Sequence, residues 1–167
     1  RRLQRIYPER LEINLALAKS FWQLKKYEEA KNVYQEILLF DDENYEVMIQ
    51  LGDILNELGD YKEAVQNYIA AMQCTSSTMK IYYQLALTYG NQGNYMQAVL
   101  TFLEALKLAP DDLEIKYQLG AAYMELNIYD TASQYFEEYV LRKIDDEIAF
   151  FLLGKCYFES KDYPAAL

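Results

Sequence analysis

The 167-residue chain contains no histidine and only two cysteines, Cys74 and Cys156. Without histidine it has no imidazole for a catalytic triad or for the common zinc sites. Two cysteines give neither a disulfide framework nor the spacing of a metal-binding motif. No pair of acid and base, activated nucleophile or phosphate-binding loop is recognisable either. We therefore predict no enzymatic activity, no metal and no cofactor.

Positive charge is also scarce. The chain has 16 Lys and Arg but 26 Asp and Glu, which gives a net charge of -10. Nucleic acids and anionic membranes recruit clusters of Lys and Arg. The chain has no apolar run of transmembrane length, and residues 1–10 are too polar for a signal peptide. We expect protein partners of neutral to basic charge, with neither nucleic acid nor membrane. No targeting signal assigns the chain to a compartment. We expect an intracellular location, either cytoplasmic or nuclear.

Apolar residues make up 52% of the chain and aromatic residues 15%, which excludes a disordered chain. These residues recur with a fixed period of 34 positions. Each period contains a tyrosine, an alanine three residues later and, in the complete periods, another aromatic four residues after that. The tyrosines are Tyr27, Tyr61, Tyr95, Tyr129 and Tyr163; the alanines are Ala30, Ala64, Ala98, Ala132 and Ala166; the later aromatics are Tyr34, Tyr68, Phe102 and Phe136.

The first half of each period repeats a leucine that is followed at once by a small residue. These pairs are Leu17 and Ala18, Leu51 and Gly52, Leu85 and Ala86, Leu119 and Gly120, and Leu153 and Gly154. Spacings of three and four define one helix face, so each period predicts two helices, the second beginning at the tyrosine. We expect Gly52 and Ala64 at close helix contacts, with tyrosines wedged beside them. Stacked hairpins would cover each other's apolar faces.

The acidic segments between the periods are 41–44, 109–112 and 144–147. Asp and Asn at these places can accept hydrogen bonds from the first backbone N–H groups of the next helix. An EF-hand would also need a central glycine and a terminal glutamate, and that pattern does not follow. We therefore predict helix caps here.

The period and its residues resemble the tetratricopeptide repeat family over essentially the whole chain. The third unit is most similar, through Leu85, Ala86, Tyr89, Gly93, Tyr95, Ala98, Phe102, Ala105 and Pro110. The pentatricopeptide type has a 35-residue period and binds RNA, which the spacing and the charge oppose. The usual Trp position is occupied instead by Asn14, Met48, Tyr82, Lys116 and Phe150, and Ile37 and Tyr139 replace a later alanine. The resemblance implies an all-α fold, a right-handed α-solenoid of stacked antiparallel helix hairpins.

The register divides the chain into repeats and predicts that it comes from a longer protein. Residues 1–10 correspond to the end of the second helix of a preceding repeat. Repeats 1 to 4 cover 11–44, 45–78, 79–112 and 113–146, and a partial fifth covers 147–167.

In the family, the first helices line a concave groove. Here the fifth residue of each repeat is apolar or aromatic and the sixth is glutamine in three repeats. Such rows suit an extended peptide, because aromatics supply buried area and amides both donate and accept. Alternatively, the fifth residue packs against the next hairpin and the glutamines are merely solvated. The predicted groove residues are Leu15, Lys19, Trp22, Ile49, Gln50, Asp53, Tyr83, Gln84, Leu87, Tyr117, Gln118, Phe151 and Lys155.

Carboxylates outnumber lysines on this predicted face, which favours a ligand with apolar anchors and some Lys or Arg. A carboxylate clamp of the chaperone-binding type is not expected, because its Asn and Arg are missing. Trp22 is either an anchor for the partner or a packing residue against a preceding repeat. Cys156 occupies a position at which other repeats carry Ser, Ile, Thr and Ala, so we assign it to packing.

Three functions agree with these features. The leading hypothesis is a protein-protein interaction scaffold that holds a partner segment in the groove. The chain could instead be a structural or self-assembling arm of a larger complex, which leaves self-association open. It could also be the substrate-recognition arm of an enzyme whose catalytic domain lies elsewhere.

Overall fold

The computed structural model describes residues 8–75 and 78–160. Within these ranges the chain forms nine α-helices and no strand. The helices are α1 (Pro8–Gln23), α2 (Tyr27–Leu38), α3 (Tyr45–Leu58), α4 (Tyr61–Cys74), α5 (Met79–Asn91), α6 (Tyr95–Leu108), α7 (Leu113–Glu125), α8 (Tyr129–Val140) and α9 (Glu147–Glu159). We call α1, α3, α5, α7 and α9 the first helices and the other four the second helices.

The predicted helical hairpins are confirmed. All four second helices begin at the tyrosine of the period, and α1 packs on α2, α3 on α4, and α7 on α8. The all-α hairpin class is therefore correct, whereas the right-handed course of the superhelix stays a prediction.

The repeat boundaries also stay a prediction. Helix α1 begins at Pro8, so residues 8–10 are continuous with the first helix of repeat 1. Residues 1–7, which we assigned with them to a preceding second helix, lie outside the described residues. The same holds for Tyr163 and Ala166.

The chain divides into two compact units between Thr88 and Tyr89, within α5. In unit 1, residues 1–88, helix α3 packs against both α2 and α4. The repeated leucine is buried at Leu51 and Leu85, but Leu17 is 43% exposed. Leu17 differs because α1 packs mainly on α2, and no helix precedes it in the part of the chain that the structure describes.

In unit 2, residues 89–167, helix α8 packs against both α7 and α9. The core between them is formed by Ala132, Phe136, Tyr139, Val140, Ala149, Leu153 and Cys156. Phe136 is completely buried at its centre. Rows of apolar side chains three and four residues apart on each helix produce this contact.

Glycine allows a first helix to approach an aromatic ring of its own hairpin. A Cβ atom added at Gly52 would lie 2.8 Å from ring carbons of Tyr68, and one added at Gly120 would lie 3.0 Å from the Phe136 ring. Gly52 and Ala64 are both buried. The predicted close contact with a tyrosine wedge is confirmed.

Replacing Gly52 with alanine should destabilise the protein by about 1 kcal/mol. Overpacking costs about 1–3 kcal/mol, and the better helix propensity of alanine returns only ~1 kcal/mol. Gly90→Ala is the matched control, because Gly90 also lies in a helix and its added Cβ meets nothing within 4 Å. It should stabilise the protein by roughly 0.5–1 kcal/mol. Urea unfolding measures the change in the free energy of unfolding for both variants. Changes of the same sign in Gly52→Ala and Gly90→Ala would contradict the predicted contact.

The turn inside each hairpin contains one residue in the left-handed region. These residues are Lys25 (φ 57°), Gly59 (φ 81°), Gly93 (φ 73°) and Asn127 (φ 59°), spaced by 34. Glycine adopts this conformation freely and asparagine tolerates it. A lysine in the same conformation is strained.

Lys25→Gly should therefore stabilise the protein by about 0.5–1 kcal/mol. Left-handed backbone costs an L-residue roughly 1–2 kcal/mol, and the greater chain entropy of glycine cancels part of the gain. The adjacent Lys26 has an ordinary φ of -87°. Thermal unfolding measures the stability of both variants. Lys26→Gly should give no stabilisation. A gain at Lys26 as large as at Lys25 would refute the argument from strain.

The predicted helix caps are confirmed. The side chains of Asn44, Asp112 and Asp146 accept hydrogen bonds from backbone N–H groups at 3.2, 3.0 and 3.0 Å. The Asp146 cap is tied to the core as well, since the Tyr139 hydroxyl donates to Asp146 Oδ2 at 2.9 Å. The Ala149 N–H and then Tyr139 hold the pKa of Asp146 below its ordinary value.

Candidate partner-binding surface

All thirteen predicted groove residues lie on first helices. We call them together the first-helix face. In unit 1 they are Leu15, Lys19 and Trp22 on α1; Ile49, Gln50 and Asp53 on α3; and Tyr83, Gln84 and Leu87 on α5. In unit 2 they are Tyr117 and Gln118 on α7, and Phe151 and Lys155 on α9.

The apolar row of this face is unevenly exposed. Ile49 is only 9% exposed and belongs to the core of unit 1. Leu15, Tyr83 and Tyr117 are partly buried. Phe151 is 71% exposed. Ile49 is therefore buried in the core, whereas Phe151 is largely open to solvent.

Tyr117 shows how one side chain of the row is held. Its ring centroid lies 5.6 Å from that of Phe136, edge to face, and 5.0 Å from that of Tyr139. Aromatic pairs at these distances stabilise each other. Burial, followed by the charges of Asp146 and Glu114, raises the pKa of Tyr117. The side chain is thus a fixed aromatic platform that remains partly open.

The three glutamines do not form a uniform free row. Gln50 Oε1 accepts a hydrogen bond from the Tyr34 hydroxyl. Gln84 Nε2 donates to Asp53 Oδ1 at 3.0 Å, and Gln118 Nε2 donates to Glu114 Oε1 at 3.1 Å. Each glutamine therefore uses one end of its amide within the chain.

Asp53 lies at the centre of a polar cluster in unit 1. Its Oδ1 atom accepts from the Tyr68 hydroxyl at 2.6 Å and from Gln84 at 3.0 Å. Asn56 Nδ2 donates to the Tyr68 hydroxyl at 3.1 Å and to Thr88 Oγ1 at 2.8 Å. Burial raises the pKa of Asp53, although the Tyr68 hydrogen bond, Lys80 and Gln84 oppose that shift. Helices α3, α4 and α5 each contribute to this cluster.

The remaining predicted residues differ in setting. Lys19 and Lys155 are exposed, and Leu87 is partly buried. Trp22 is partly buried, and its ring lies 6.2 Å from that of Tyr27, edge to face. Trp22 therefore packs on its own hairpin, a contact that we did not predict.

Three features of the described residues bear on metal binding, membrane insertion and thiol chemistry. Groups of three or more His, Cys, Asp or Glu that could hold a metal ion are absent from 8–75 and 78–160. In the same ranges, none of the helices has the length and apolar character needed to cross a bilayer. Cys156 is completely buried, and burial raises its pKa to about 11. Such a thiol suits packing and not reactivity.

Comparison with known sequences decides the family. A model of the Tetratricopeptide repeat protein 21 C-terminal ARM domain matches residues 8–122, more than half of the chain. A Tetratricopeptide repeat model matches residues 113–143. The chain belongs to the tetratricopeptide repeat family. No curated protein sequence matches it significantly.

Solved tetratricopeptide repeat structures share the fold at low sequence identity. MamA from Desulfovibrio magneticus RS-1 superposes with a TM-score of 0.87 at 19% identity, covering 93% of this chain and 88% of that one. YrrB, described as a TPR protein with an unusual peptide-binding site, has a TM-score of 0.81 at 19% identity, covering 92% and 79%. Together these place the chain among the all-α repeat solenoids.

Two polar residues of this tetratricopeptide repeat chain were missed by sequence reasoning, Asn56 and Thr88. Asn56 lies on α3 three residues after the predicted Asp53, and this helical spacing was a signal. Thr88 shares its repeat position with Ser, Ile, Ala and Cys, so its sequence gave no sign of a polar role. Its hydroxyl is completely buried and donates to the Gln84 carbonyl at 2.7 Å.

Proposed function

We propose that the chain is a non-catalytic scaffold that binds a segment of a partner protein on its first-helix face. One observation carries this proposal. Tyr117 and Phe151 occupy the same register on α7 and α9 of unit 2, the first partly exposed and the second 71% exposed. Large aromatics that remain open to solvent are typical anchors for protein partners.

The chemistry of the partner follows from the surface. The exposed Phe151 side chain favours an apolar anchor in the ligand, and the net charge of -10 favours a neutral to basic segment. The same charge disfavours nucleic acid and anionic membranes. The described peptide-binding site of YrrB supports a peptide ligand for a related fold.

A second candidate is a structural or self-associating arm. It is favoured by apolar side chains at and after the ends of second helices. Leu39 is 82% exposed, Leu141 77% and Ile144 72%. Burying these residues against a permanent neighbour would stabilise an assembly.

Photo-crosslinking tests the first candidate against the second. A benzophenone amino acid replaces Phe151 on α9 or, as the control, the exposed Gln134 on α8. Captured proteins from native lysate are identified by mass spectrometry, and the crosslinked segment is synthesised as a peptide. We expect one protein captured from position 151 alone, and saturable binding of its peptide. Equal capture from both positions, or a peptide that does not bind, would refute groove binding, and capture of the chain itself would favour the second candidate.

A further inference from the structure

Helix α9 of unit 2 presents a row of large side chains to solvent. Ile148 is 66% exposed, Phe151 71% and Phe158 59%. Lys155 lies between the two phenylalanines in the sequence and is exposed as well. The spacings of three, four and three residues place all four on one side of the helix, in a row about 15 Å long. We call these four residues the α9 stripe.

The repeat does not require apolar residues along the α9 stripe. In the other four first helices, the repeat position of Ile148 carries an exposed charged residue. These residues are Glu12, Glu46, Lys80 and Glu114. Helix α9 packs into unit 2 through a different side, on which Ala149, Leu153 and Cys156 are buried in the core shared with α8. An exposed apolar row that this packing does not use is typical of a surface that binds another protein.

The helix that carries the stripe is fixed to its neighbour. Besides the shared core, the Tyr157 hydroxyl donates a hydrogen bond to Glu137 Oε1 of α8 at 2.5 Å. Tyr157 and the core residues of α9 are not part of the α9 stripe. A partner can therefore contact the stripe while the core of unit 2 stays intact.

The α9 stripe offers little to the backbone of an extended peptide. Backbone N–H and C=O groups need hydrogen-bond partners when they are buried. Within the stripe only Lys155 has polar side-chain atoms, and they can only donate. The sixth residue of this repeat is Leu152, where three other repeats carry glutamine. An α-helix satisfies its own backbone groups, so it can bury apolar side chains on the stripe without leaving those groups unpaired.

The geometry of the stripe also suits a helix. Rows of residues spaced by three and four form the contact when two helices pack side by side, and the charges beside the row select the partner. Glu147 directly precedes the α9 stripe and Glu159 directly follows it, and both are exposed. Basic residues beside the apolar row of a partner helix would complement them.

Lys155 adds a requirement at the middle of the stripe. Within 8–75 and 78–160 its ammonium group forms no ion pair, although Glu159 follows one turn later. A partner that covers the phenylalanines on either side would remove water from this ammonium group. A charge that loses water without gaining a partner is costly, and an opposing carboxylate would offset that cost.

We infer that the α9 stripe is the docking site for an amphipathic α-helix of the partner protein. This helix carries apolar residues at spacings of three and four, one acidic residue among them opposite Lys155, and basic residues beside them. The inference rests on the proposed function and deepens it, because Phe151 belongs to both surfaces. An extended peptide, which the glutamine row suits, is not the ligand of α9.

Three designed peptides of about 18 residues test the docking site by calorimetric titration into the full chain. The first has leucines at spacings of three and four, one glutamate within the leucine row, and lysine and glutamine elsewhere. The second has the same composition with the leucines distributed around the helix, and the third has lysine in place of the glutamate. We expect saturable binding of the first and at least tenfold weaker binding of the other two. No binding of the first, or equal binding of the first and either control, would overturn the inference.

Variants of the protein locate the binding on α9. Lys155→Glu should weaken binding of the first peptide at least tenfold and strengthen binding of the third, because the reversed charges then match. Phe158→Ser should also weaken binding of the first peptide at least tenfold. Leu108→Ser is the control, because Leu108 is 53% exposed at the end of α6 in the same unit, and it should leave affinity unchanged. Wild-type affinity in Phe158→Ser, or a third peptide that Lys155→Glu does not strengthen, would overturn the docking site.

The segment captured at Phe151 separates this inference from the proposed function. If that segment binds wild type and Phe158→Ser equally, binding on the first-helix face stands and the α9 docking site is refuted. If position 151 captures no protein, the proposed function fails and this inference fails with it, even where the first designed peptide binds.

Discussion

Replacing Phe136 with alanine should destabilise the protein by about 3–5 kcal/mol, the range for truncating a buried aromatic. Phe136 is completely buried in unit 2, and its ring lies against Gly120 and Tyr117. The cavity cannot close easily, because the α7 backbone at Gly120 has no side chain to fill it. Urea unfolding followed by circular dichroism measures the loss.

Leu141→Ala is the control for Phe136. Leu141 follows α8 directly and is 77% exposed, so its truncation should change stability by less than ~0.5 kcal/mol. If both variants lost similar stability, Phe136 would not be the centre of the core of unit 2.

Replacing Tyr68 with phenylalanine should cost about 2–3 kcal/mol, although the ring is kept. The hydroxyl donates to Asp53 and accepts from Asn56, and hydrogen bonds to charged groups contribute ~1.5–3 kcal/mol. Burial, followed by the charge of Asp53, strongly raises the pKa of Tyr68, so the hydroxyl keeps its proton at ordinary pH. The loss is measured by urea unfolding.

Tyr34→Phe provides a matched control at the equivalent place of α2. Its hydroxyl donates to Gln50, a neutral and partly exposed side chain that water can solvate instead. Burial raises the pKa of Tyr34 to about 12, so this hydroxyl is also neutral. We expect a loss of about 1 kcal/mol or less. A loss equal to that of Tyr68→Phe would show that the Asp53 cluster adds no stability.

The period of 34 predicted the helices and their contacts well, because these depend on local spacing. Helix starts at Tyr27 and Tyr129, the cap at Asp146 and the close contact at Gly52 all followed from it. Each is governed by residues within one hairpin or one turn. The left-handed turn at Lys25 could have been found in the same way, since it aligns with Gly59.

The details of the first-helix face could not be predicted from the same pattern. Ile49 and Phe151 share a repeat position, yet one is buried and the other exposed, because exposure depends on the helices packed beside each. The partners of the glutamines vary for a similar reason. Gln118 has Glu114 one turn earlier, whereas Gln50 meets a hydroxyl from another helix.

The aromatic of the second helix explains why the Asp53 cluster occurs in unit 1. This position carries tyrosine at Tyr34 and Tyr68 but phenylalanine at Phe102 and Phe136. In unit 1 the hydroxyl groups reach polar side chains of α3. In unit 2 the Phe136 ring packs on Tyr117 instead. The hydroxyl group, which phenylalanine lacks, therefore decides whether this position makes polar or aromatic contacts with the first helix.

Calorimetric titration of the captured segment tests the central claim most directly. Its synthetic peptide is titrated into wild type and two variants, Phe151→Ser and Leu141→Ser. Both side chains are more than 70% exposed, so neither change should unfold the protein. Binding on the first-helix face predicts at least tenfold weaker affinity for Phe151→Ser and wild-type affinity for Leu141→Ser. Equal affinities for wild type and Phe151→Ser, or a loss confined to Leu141→Ser, would contradict it.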